Sequence, residues 1–112
     1  MLKNMDAIYV DLKEIFGDYE LKYNKFYVGL AKDGIAKNFI SFKPKKAFIW
    51  FNIKGLKDDD VIAELENSGL ESDYDSRWNQ YRIKINDMNE FKEHRELLVR
   101  MVKNAMEYYN VD

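Results

Sequence analysis

Glu20-Leu21-Lys22 is the short acid-x-lysine element that metal-dependent nucleases use, in which a carboxylate helps hold a divalent ion and the lysine polarises the attacking water. The chemistry needs a second carboxylate beside Glu20. The nearby acids are Asp11, within an expected helix, and Asp18, in the turn that leaves it. Asp58, Asp59 and Asp60, with Asp73 and Asp75, offer oxygen ligands for a hard cation, but they lack the Asp-x-Asp-x-Asp-Gly spacing of a calcium loop. Three acids opening a helix are already explained by capping and by the helix dipole. His94, the single histidine, lies three residues after Phe91 and four before Leu98 on an apolar stripe, and reads as a boundary residue with Glu90 as its partner. The chain has no cysteine, which removes disulfides, thiolate metal sites and cysteine nucleophiles together. The expectation is no catalytic residue, no metal site and no cofactor.

Binding chemistry is better represented. The net charge of −2 hides a partition along the chain. Residues 20–57 carry nine lysines against Glu20 and Asp33, whereas residues 58–75 carry eight acids and no base. The basic segment is interleaved with aromatic residues, the combination that meets a phosphate backbone and stacks on bases. Tyr27, Lys37, Lys43, Lys45, Lys46, Trp50 and Lys54 come from that segment, and Arg82 and Lys84 from a later strand. The polar stretch Ser72–Gln80 adds Arg77 and Trp78, residue types that recognition loops favour. Lysines on sheet edges also prevent strand-to-strand aggregation, and Arg77 has Asp73 and Asp75 close by as ion-pair partners.

These residues have to be positioned by elements that the apolar pattern reveals. Leu2, Met5, Tyr9, Leu12 and Phe16 recur at helical spacing, and Gly17 follows as a left-handed stop. From residue 25 the period becomes strand-like, over Lys25–Ala31, Lys37–Lys43 and Lys46–Ile53. Asp33-Gly34 and Pro44 mark hairpin turns between them. In the third strand Ile49, Phe51 and Ile53 face one way, and Phe48, Trp50 and Asn52 the other, as expected of a central strand. A short helix follows from Asp58 to Gly69, then a polar loop over 71–79, a strand at Gln80–Asn86, and a closing helix that Asp87 and Glu90 open with capping-box spacing. The order α-β-β-β-α-β-α predicts a two-layer α+β domain: an antiparallel sheet of about four strands with helices mainly on one face.

At 112 residues, with 46% apolar and 15% aromatic content, the chain suits one packed domain over 1–112. Its longest apolar run, Ala47–Phe51, is far short of the ~20 residues of a membrane helix, so a cytoplasmic protein without a membrane partner is expected. A helix starting almost at residue 1 without a cap reads as a domain cut from a longer chain.

The succession Lys25-Phe26-Tyr27-Val28-Gly29-Leu30, Lys37-Asn38-Phe39-Ile40, Lys46–Ile53 and Asp58-Asp59 resembles a bacterial domain of unknown function catalogued as "predicted transport protein". The resemblance spans roughly residues 8–109 and implies the same helix, meander, acidic helix, tryptophan loop, strand and closing helix. It also implies a C-terminal module of restriction- and defence-associated proteins, hence nucleic acid as a partner. That family's loop has glycines and a histidine around its tryptophan, where this chain has Arg77-Trp78-Asn79. The expected function is a noncatalytic recognition module contacting nucleic acid through the lysine-rich sheet and the Arg77–Trp78 loop. The alternative is a protein-interaction domain, in which the basic 20–57 segment meets the acidic 58–75 segment of a second copy or a neighbouring domain.

Overall fold

The structure is a computed structural model and describes residues 2–109. Its elements run α1 (Leu2–Phe16), β1 (Glu20–Tyr23), β2 (Val28–Lys32), β3 (Ile35–Ala36), β4 (Ile40–Pro44), β5 (Ile49–Lys54), α2 (Asp59–Ser68), β6 (Ser72–Asp75), β7 (Gln80–Ile85), α3 (Met88–Glu93) and α4 (Arg95–Tyr108). The strands form one antiparallel sheet in the order β1-β2-β4-β5-β7-β6, with β3 folded back on β2. The α+β class holds, and the expected sheet of about four strands is corrected to seven among the described residues.

The four strands richest in buried residues, β2, β4, β5 and β7, make the centre of the sheet, and β5 is a middle strand. Those that escaped the sequence pattern lie at its margins. Within β1 only Leu21 is partly buried, β3 has two exposed residues, and β6 is Ser-Asp-Tyr-Asp. Their pairing is set by neighbours rather than by their own hydrophobicity. The expected first strand starts later, at Val28, because 24–27 turn; the expected polar loop over 71–79 contains β6. The closing helix is also split. His94 leaves helical geometry at φ −109°, and directly after it Arg95 reaches back to α1 with Nε 2.7 Å from Asp11 Oδ1 and a second nitrogen 3.0 Å from Glu14. Glu90 meets His94 through its backbone carbonyl, which accepts the His94 N–H at 3.3 Å; its carboxylate accepts from the Asn86 backbone N–H at 2.8 Å, while Asp87 caps Glu90 N–H at 2.9 Å.

The core lies between the helices and one face of the sheet. Met5, Ile8, Leu12 and Phe16 of α1 are buried, as are Leu98, Met101, Val102 and Ala105 of α4, against Ile40, Phe42, Ile49, Phe51, Ile53, Ile83 and Ile85. Phe42 and Phe51, paired in register, stack at 5.2 Å. Asp58 caps α2, accepting from Asp60 N–H at 2.8 Å, as three acids at a helix start predict. Arg100 then ties α4 to α2 by a bidentate pair with Glu64 at 2.7 and 3.0 Å.

One turn and one strand glycine are fixed by backbone requirements. Asp33 (φ 54°) and Gly34 (φ 77°) make the tight β2–β3 hairpin turn with two left-handed residues, as the Asp-Gly pair predicts. Gly29 is required for a different reason. A Cβ there would stand 2.1 Å from Asn38 Oδ1, the atom that accepts the Leu30 N–H at 3.2 Å. Glycine lets Asn38 lie on the strand and donate onward to the Tyr27 hydroxyl at 3.3 Å.

Candidate functional site

The face of the sheet turned away from the helix layer is formed by alternate residues of the central strands: Ser41 and Lys43 on β4, Trp50, Asn52 and Lys54 on β5, and Gln80, Arg82 and Lys84 on β7. It shapes a groove of about 590 Å³, whose lining includes no helix residue among the described ones, Tyr109 just beyond the end of α4 being its nearest contribution from that layer. Tyr27, Lys43, Trp50, Lys54, Arg77, Trp78 and Arg82, all expected from sequence, line it together. Lys84 stands on the same face, over the ring of Phe48 at 4.4 Å. Lys37, between β3 and β4, and Lys45 and Lys46, in the β4–β5 turn, do not line the groove. A turn points its lysines outward irrespective of strand alternation.

Cations and aromatic rings are paired across the groove. The Arg82 guanidinium lies 4.6 Å from the Trp50 ring centre, and the Lys54 amine 5.7 Å from that of Trp78. Phe48 meets Trp50 edge-to-face at 5.7 Å. Such pairs combine quadrupole attraction with apolar contact and hold both groups flat on the sheet. Trp78 is nevertheless 62% exposed, on a loop with firm supports. Lys54 Nζ donates to the Trp78 carbonyl at 3.1 Å, Gly55 N–H to the Asn79 carbonyl at 2.8 Å, and Asn79 Nδ2 to the Tyr108 hydroxyl at 3.3 Å. Asn79 itself is left-handed (φ 49°), a conformation asparagine tolerates.

The acids of β6, and Glu71 just before it, enter this face from its margin. Asp73 faces Arg82 at 3.5 Å and Glu71 faces Lys84 at 3.9 Å, both long, partly exposed pairs. Asp75 accepts from the Arg77 backbone N–H at 3.0 Å and pairs with its guanidinium at 3.6 Å. Lys43 has no ion pair among the described residues. Burial pushes the Lys54 amine below the ordinary lysine value, against the opposing pull of Asp75.

The sequence pattern placed Trp50 and Asn52 on one side of β5 but gave Asn52 no role. It forms the floor of the groove with Ser41, its Nδ2 3.3 Å from the serine Oγ, while its Oδ1 is buried without a hydrogen-bond partner among the described residues. Ser41 and Gln80 join the site only through strand register, and Asn38 through the hydrogen bond it accepts from Leu30 N–H, neither of which hydropathy alone supplies. The acid-x-lysine element lies on β1, and Asp11 is engaged with Arg95 rather than with Glu20. Among the described residues no three carboxylate or imidazole groups converge on a metal position, and no helix is long and apolar enough to cross a membrane. Comparison with known proteins finds no matching family model, no matching curated protein and no matching solved structure.

Proposed function

We propose that this protein is a noncatalytic recognition module that binds single-stranded nucleic acid on the open face of its sheet. The observation that carries the reading is the collection, in one uncovered groove, of Trp50, Trp78 and Tyr27 with Lys43, Lys54 and Arg82. Aromatic faces take unstacked bases whatever their identity, and neighbouring cations take the phosphates between them. A groove lined by flat rings favours a single strand, because a duplex keeps its base faces covered. Self-association through complementary charge has less to draw on, since Glu71, Asp73 and Asp75 already face Lys84, Arg82 and Arg77 within the chain.

Fluorescence anisotropy with labelled single- and double-stranded oligonucleotides across a salt series tests this. Single strands bind at low salt, and log affinity falls with log salt by about 0.7 per phosphate contacted. Lys43→Glu, in the groove, weakens binding strongly; Lys46→Glu, in the turn, weakens it far less. Absence of binding at low salt, or equal effects of the two substitutions, overturns the reading. A salt-sensitive dimer in sedimentation without oligonucleotide binding would favour the interaction-domain alternative.

A further inference from the structure

The floor of the groove contains an acceptor that the protein leaves unused. Asn52 is 9% exposed and Ser41 8%, the two buried polar side chains among the described residues, and they sit opposite each other in register on β5 and β4. The serine hydroxyl occupies the amide nitrogen, and Asn52 Oδ1 remains without a partner. Buried side-chain acceptors are nearly always satisfied in native proteins, so an orphan beside aromatic rings marks a place where a ligand completes the hydrogen bonding. Trp50 stands on the same face of β5 two residues away, about 6.7 Å along the strand. A base stacked on that ring extends its edge over Asn52. Arg82 is the cross-strand neighbour of Asn52, and its guanidinium now lies on Trp50.

We infer that Asn52 is a base-reading residue: its Oδ1 accepts an N–H from the edge of a nucleobase stacked on Trp50, once Arg82 has moved from the ring to a phosphate. This rests on the single-strand reading above and adds to it a hydrogen-bond donor that the ligand must supply. Ser41 acts as a positioning residue, fixing the amide so that the oxygen is the free atom. Lys54, two residues beyond Asn52 on the same face, remains with Trp78 and holds the loop rather than the base.

The inference separates stacking from hydrogen bonding, and methylated bases do the same. Among oligo-dT, oligo-dC and oligo-dA, the tightest binder is compared with its analogue lacking the edge N–H: N3-methylthymine, N4,N4-dimethylcytosine or N6,N6-dimethyladenine. The native protein prefers the unmethylated strand by on the order of tenfold, the scale of one lost buried hydrogen bond. In Asn52→Val the preference collapses to near unity while residual stacking affinity persists. A methyl penalty that survives unchanged in Asn52→Val is steric and overturns the inference. So does native protein that binds both strands equally, which leaves the single-strand reading intact. If none of the three oligonucleotides binds at low salt, the single-strand reading itself falls, and the base-reading role with it.

Discussion

The two faces of this sheet are made by the same strands and have opposite chemistries. Along β5, Ile49, Phe51 and Ile53 are sealed against the helices, while Trp50, Asn52 and Lys54 between them carry a ring, an amide and a charge. The sealed face has every apolar group in contact with another apolar group. The open face keeps large rings at a surface with cations laid over them and a polar floor beneath. Folding accounts for the first arrangement completely. It does not require the second: a solvent-facing sheet is made soluble by threonines and lysines, without tryptophan or a buried unpaired amide oxygen. The difference locates the part of the sequence that stability alone does not explain.

The sharpest way to break that contrast is to truncate adjacent rings on one strand. Phe51→Ala opens a cavity in the sealed core and lowers unfolding free energy by about 3–5 kcal/mol in urea denaturation. Trp50→Ala, one residue away, costs about 2 kcal/mol or less because its ring is only half-buried, yet it removes most oligonucleotide affinity. Equal stability losses would mean the open face is a second core. A smaller effect of opposite sign is expected at the floor. Ser41→Ala with Asn52→Val removes the orphan oxygen together with its neighbour and places a β-branched residue in a central strand, raising stability by about 1 kcal/mol at unchanged denaturant slope. A loss of stability there would show that the amide serves the fold.

The smallest effect is a pH dependence confined to the open face. Because burial lowers the Lys54 pKa in the folded chain, the unfolded chain holds the proton more firmly between that lowered value and 10.5. Stability therefore rises with pH across that window as the cost of the buried charge is relieved. In Lys54→Met the rise disappears. Oligonucleotide affinity moves the other way, declining as the amine loses its charge, and Lys54→Arg retains it to higher pH.

The elements legible beforehand were those whose residues carry their own burial signal. The face of β5, the Asp58 cap and the Asp33-Gly34 turn each follow from local chemistry. β6 was not legible, because Ser72-Asp73-Tyr74-Asp75 is held by its register on β7 and by Asp73 facing Arg82, neither of which is local. The split at His94 has no glycine or proline to announce it. Of the site, the rings and cations were visible as residue types and their convergence was not. Lys43 and Lys46 are three residues apart, yet one is on the groove and the other on a turn. Asn52, an asparagine in a strand, has no distinctive sequence signature; its significance lies in a partner it lacks among the described residues.

Glu71 and Asp73 can be viewed as resident competitors for the site they border. At 3.9 and 3.5 Å they hold Lys84 and Arg82 loosely, occupying the cations without neutralising them fully. An incoming anion displaces a carboxylate rather than a mobile salt ion, so fewer ions are released than the number of contacts would suggest. Dispersed or poorly fitting anions gain little from that exchange. On the proposed single-strand reading, a strand that brings phosphates and rings into place together would gain on both, and Glu71 with the marginal strand β6 would set a threshold against nonspecific polyanions.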